Sequence, residues 1–165
     1  MRARRLLEVE RFEVRGASVV ARVRVAPDVP VRTSGLPGIA QAACDELPGL
    51  ARHRCDCGSP RGIVAELSDT ELPHLVEHVA LELLALAGFP RTISGETTWD
   101  FARDGRGVFH VTIRSHDAAA ARSALGEATR IVDALAARAL ARRPFDPPAY
   151  TVVSSPAHSE RLRVE

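Results

Sequence analysis

The chain has 165 residues, 45% of them hydrophobic and 26% charged, with a formal net charge of +1. That length suits one core-forming domain, and near-neutrality leaves no basic footprint for nucleic acid. All 22 basic residues are arginine, so the chain has neither the lysine of a Walker-type phosphate loop nor a Schiff-base lysine.

In chain order, residues 4–14 and 17–26 read as two strands. Val19, Ala21, Val23 and Val25 alternate with Val20, Arg22 and Arg24, and Arg15-Gly16 supplies a hairpin turn. Pro27, Pro30, Gly35 and Pro37 break the pattern, and Gly38–Leu47 reads as a short helix. Leu50–Gly62 is a loop rich in Arg, Cys, Gly and Pro, followed by a helical turn at Ile63–Leu67. The strongest helix starts at 69–72, where Ser68 and Glu71 fit a capping box and Pro73 is tolerated in the first turn. It ends at Gly88 and Pro90. Leu72, Leu75, Val76, Val79, Ala80, Leu83 and Leu86 form its core stripe.

Residues 92–102 and 107–114 read as a second hairpin around Asp104–Gly107, and 117–142 as a long Ala-rich helix. From Arg143, Pro144, Pro147 and Pro148 mark a C-terminal tail (143–165), with an edge strand expected at Tyr150–Val153. The order ββααββα predicts an α+β domain over residues 1–142: a two-layer fold with an antiparallel sheet built from two hairpins and helices packed on one face. No stretch of 18 apolar residues is present, and charges interrupt the basic N-terminus before any signal core forms. A cytoplasmic protein without membrane contact is expected, with Cys44, Cys55 and Cys57 reduced.

The chemistry concentrates in His74-Leu75-Val76-Glu77-His78. On a helix His74 and His78 project from one side and can share a metal ion, with Glu77 beside them as catalytic base, which is the inverted-zincin order. Such a pentapeptide arises by chance in roughly one chain of this size in a hundred. Between Leu72 and Gly88 the only ionisable residues are His74, Glu77, His78 and Glu82. A helix otherwise apolar nearly all round is buried, and buried charges need partners. Leu81 and Ala85 lie among these groups and place them in a crease. The alternative is a polar helix side whose histidines make ordinary hydrogen bonds.

A catalytic zinc needs a third protein ligand. Glu82 lies about 12 Å along the helix from His74, too far to share one ion with both histidines, and is better suited to orienting His78 from behind. Glu127, His110, His116, His53 and Cys55 are the other donors, and spacing does not choose among them. His53-Arg54-Cys55-Asp56-Cys57-Gly58 lacks the second cysteine pair of a structural zinc finger. Arg52, Arg54 and Arg61 decorate the central loop; Arg91, Arg103, Arg106 and Arg114 decorate the second hairpin. Of these, Arg54, Arg61, Arg91 and Arg114 are the candidates for holding an acidic or peptide-like ligand.

Leu47-Pro48-Gly49-Leu50, His53-Arg54-Cys55, Gly58 and Gly62 precede His74–Leu83 and Ala87-Gly88. Together with Gly107-Val108-Phe109-His110-Val111, this pattern resembles the N-terminal domain of cyanophycin synthetases, over about residues 4–140. Those enzymes polymerise Asp and Arg with an ATP-grasp domain and a Mur-ligase-like domain; neither is found in this sequence. The resemblance implies a domain that holds the polymer and, in some members, acts as a metal-dependent peptidase, with His74, Glu77 and His78 as the hydrolytic core. It leaves His53 and Cys55 at matching positions without a role. One departure stands out: Arg114 occupies a position where the family often has an acid. Two functions follow as expectations. One is a zinc hydrolase of peptide or isopeptide bonds in an Asp/Arg polymer or related peptide. The other is a non-catalytic module presenting polymer to a separately encoded ATP-dependent ligase.

Overall fold

Two strands at the N-terminus pair because their apolar residues alternate and Gly16 supplies the positive φ (57°) of the turn. In the computed structural model, which describes residues 4–55 and 61–142, these are β1 (Leu7–Arg15) and β2 (Ser18–Val25). They run antiparallel from Leu7 opposite Val25 to Arg15 opposite Ser18, with a bulge between Val9 and Arg11. The chain continues through α1 (Ile39–Glu46), a 3-10 turn at Pro48–Arg52, α2 (Ile63–Leu67) and α3 (Leu72–Leu86). It then forms β3 (Ser94–Thr98), α4 (Phe101–Asp104), β4 (Val108–Arg114) and α5 (Ala118–Ala141).

The sheet order is β1-β2-β4-β3, antiparallel throughout, so the two ββ units meet along β2 and β4. The long helices α3 and α5 cover one face, in a crossed arrangement. Helix α3, which follows the first pair, packs on β3 and β4, whereas α5, which follows the second, packs on β1 and β2; α3 and α5 touch along their length. The α+β, two-layer architecture is as expected.

The sheet supplies Val19, Ala21, Val23, Phe109, Val111 and Ile113 to the core, and the helices add Leu72, Leu75, Val76, Val79, Leu125 and Val132. Leu75→Ala removes a fully buried side chain and is expected to cost about 2–5 kcal/mol, read as a shift in the denaturant midpoint. Asp133 on α5 ties the edge strand down by accepting hydrogen bonds from the backbone N–H groups of Leu6 (2.6 Å) and Leu7 (2.8 Å). Among the described residues no helix is long and apolar enough to cross a membrane.

Three local expectations are corrected. The capping box does not form: the Ser68 hydroxyl turns back to the Val64 carbonyl at the end of α2, and Glu71 pairs with Arg32. The N-terminus of α3 is instead secured by Leu72 N–H donating to the Val31 carbonyl (2.8 Å). Strand β3 stops at Thr98 instead of reaching residue 102, because the Asp100 side chain accepts from Arg103 N–H and starts α4. Leu86 is exposed; Leu84 is buried near that end of α3. Cys57 and the tail from Arg143, including the expected strand at 150–153, lie outside the described residues.

Candidate metal centre

Helix α3 is buried over most of its surface, including Glu77, His78 and Glu82. Its polar side faces a pocket of about 780 Å³ that Leu81 and Ala85 also line, which is the crease the sequence implies. After the 3-10 turn at Pro48–Arg52 the backbone is extended at His53, and both His53 and Cys55 line this pocket.

His74 Nε2 lies 3.2 Å from His78 Nε2 and 3.6 Å from Cys55 Sγ. Ligand atoms of Cys55, His74 and His78 all lie within 4.8 Å of one another. A tetrahedral zinc ion, with Zn–N about 2.0–2.1 Å and Zn–S about 2.3 Å, requires edges of about 3.3 Å for N–N and about 3.6 Å for N–S. Two of the three edges match such an ion, the third lies within 4.8 Å, and all three side chains line the pocket. Of the donors that sequence could not rank, Cys55 is the one brought beside both histidines.

The imidazoles sit in a continuous chain of polar contacts. His74 Nδ1 meets the Thr70 hydroxyl at 2.8 Å, and His78 Nδ1 meets His53 Nδ1 at 3.1 Å. His53 Nε2 reaches Glu82 Oε2 at 2.8 Å, and Arg91 grips the same carboxylate at 2.8 and 3.2 Å. Burial, reinforced by the neighbouring His74 and His53, pulls the His78 imidazole down to about 3. His78 is thus neutral at physiological pH, the form that ligates metal. Burial alone would raise the Glu82 carboxyl; hydrogen bonds from Arg91 and His53 outweigh it and hold the group below its ordinary value.

Glu77 occupies the same pocket, on the side of β3. Its Oε2 accepts the Thr97 hydroxyl at 2.7 Å. Burial pushes its carboxyl above the usual carboxylate range, opposed by Thr97 and His74. Gly95 makes the room: a Cβ there would come within 2.6 Å of Glu77 Cγ. Gly49 does the same for Glu82, where a Cβ would fall 1.8 Å from Oε1.

The other candidates lie elsewhere. His110 alternates with Phe109 and Val111 and so projects from the sheet face opposite α3 and α5, where it pairs with Asp104 of α4 at 2.9 Å. His116 is exposed and does not line the pocket. Glu127 is partly exposed on α5 and pairs with Arg130. Glu82 acts on His53, not directly on His78. Arg54, Arg91 and Arg114 line the pocket, joined by Arg52; Arg61 does not. Arg91 and Arg114 are paired with Glu82 and Glu96, whereas Arg52 and Arg54 have no ion pair among the described residues. Sequence reasoning missed Thr70 and Thr97. Thr70 stands four residues before His74, and Thr97 two after Gly95 on an alternating strand, so each had a periodic signal.

A family model described as Cyanophycin synthase-like N-terminal domain matches residues 22–137. The chain is 33% identical over 108 residues to a cyanophycin synthetase of Synechocystis sp., covering 62% of this chain and 12% of that protein. It is 30% identical over 125 residues to one of Trichormus variabilis, covering 73% and 13%. A third, from Geminocystis herdmanii, is 38% identical over 65 residues, covering 38% and 7%. The chain thus spans about an eighth or less of the length of these relatives. With the match embracing the second half of β2, α3, β4 and most of α5, the chain belongs to the cyanophycin synthase-like N-terminal domain family.

Proposed function

We propose that this domain is a zinc-dependent hydrolase of peptide or isopeptide bonds in an Asp/Arg polymer or a related acidic peptide. The observation that carries the reading is the pair of edges, 3.2 Å between His74 and His78 and 3.6 Å between His74 and Cys55, with Glu77 buried on the same pocket. When bound, a zinc ion supplies Lewis acidity, activating water and polarising a carbonyl. Glu77 takes a proton from the attacking water and delivers it to the leaving nitrogen as the C–N bond breaks. Its burial favours that exchange, and the Thr97 hydroxyl holds Oε2 in place. Arg52 and Arg54, at the pocket wall and without an ion pair among the described residues, hold a substrate carboxylate through their guanidinium forks.

The second reading, a binding module working with a separate ligase, draws on those same two arginines and on Arg114, whose guanidinium is committed to Glu96 and adds no acid to the pocket. Incubating the purified chain with the Asp/Arg polymer, with and without a chelator, tests the choice. Chain shortening that the chelator abolishes supports hydrolysis; polymer bound and released intact, with or without chelator, supports the module. Gly95→Ala gives a finer check. The added Cβ must displace Glu77, and turnover is expected to fall about 10–100-fold, the penalty of a misplacement near 1 Å, with zinc content unchanged.

A further inference from the structure

We propose that His53 is a positioning residue of the metal centre: it sets the tautomer of His78 and anchors the loop that carries Cys55. The inference rests on the metal reading above and deepens it. An ionised carboxylate only accepts hydrogen bonds, so at 2.8 Å from Glu82 the hydrogen sits on His53 Nε2. With His78 ligating through Nε2, as the metal reading requires, its hydrogen sits on Nδ1 and is donated to His53 Nδ1 across 3.1 Å. This leaves the His78 Nε2 lone pair directed at His74.

The other end of the chain runs the same way. The Thr70 hydroxyl donates to Glu71 (3.2 Å) and accepts Nδ1–H from His74 (2.8 Å), leaving the His74 Nε2 lone pair directed at His78. Two imidazole lone pairs 3.2 Å apart repel one another, and a cation between them converts the repulsion into coordination. His53 also has a mechanical effect. Its ring is held between α3 residues His78 and Glu82, with only a tenth of the side chain exposed. Cys55 lies two residues further along the chain, so fixing His53 limits the reach of its thiol to His74. Groups behind metal ligands act in this manner through orientation and basicity.

The test compares zinc affinity, by competition with a chromophoric chelator, and the visible spectrum of the cobalt-loaded protein for the parent, His53→Leu and His53→Gln. Leucine keeps bulk but offers no hydrogen bond; glutamine can accept from His78 and donate to Glu82. His53→Leu is expected to bind zinc about 10–100-fold more weakly, with altered cobalt d–d bands and a weaker thiolate-to-cobalt band. His53→Gln is expected to recover part of both. Arg91→Ala, at an exposed side chain, is expected to weaken zinc binding less, with the fold intact by circular dichroism. A His53→Leu protein with parental affinity and spectrum overturns the positioning role and leaves the metal reading standing. A parent that binds neither zinc nor cobalt overturns both.

Discussion

Glu77→Gln is expected to lower polymer hydrolysis by about 10²–10⁴-fold, the range a positioned general base contributes, while zinc content stays at that of the parent. Glutamine preserves the volume that Gly95 accommodates and can still accept the Thr97 hydroxyl through its carbonyl oxygen, so the pocket keeps its shape. What is lost is the capacity to carry a proton. The carboxyl is suited to that task because burial raises its proton affinity, while the hydrogen bond from Thr97 keeps the charged form within reach. A variant with unchanged turnover would remove Glu77 from the mechanism; one that also loses zinc would show that the side chain supports the ion. Steady-state rates with metal analysis on the same sample separate these outcomes.

Cys55→Ala is expected to weaken zinc binding by more than about a hundredfold, since groups merely standing behind ligands already cost about 10–100-fold. His74→Ala should match it, whereas His110→Ala, on the far face of the sheet beside Asp104, should leave affinity unchanged. The loss has a second readout. An ion that binds only the folded chain stabilises it by about 4 kcal/mol at a free concentration a thousand times its dissociation constant. Zinc should therefore raise the melting temperature of the parent and of His110→Ala, and should do so far less for Cys55→Ala at the same concentration.

How much of this was legible in the sequence depends on how local the signal is. Helix α3 was, because Leu72, Leu75, Val76 and Val79 recur at helical spacing and the ionisable residues gather on the remaining side. The α+β layering and the N-terminal hairpin were legible for the same reason. Cys55 as a partner of His74 was not: nineteen residues separate them, and the path of the loop is decided by His53 docking on Glu82 and by Gly49 making space, neither of which leaves a periodic trace. The end of β3 was misjudged because Asp100 competes for the backbone as a helix cap. His110 could have been set aside from sequence alone, since its alternation with Phe109 and Val111 puts it opposite the core. The crossing of α3 onto β3 and β4 is non-local and had no signature.

X-ray absorption at the zinc edge of the purified chain tests the centre most directly. About one zinc per chain is expected, with one sulfur scatterer at about 2.3 Å and nitrogen or oxygen scatterers at about 2.0–2.1 Å. A zinc shell without sulfur, or a protein that retains no zinc while folded, would contradict it.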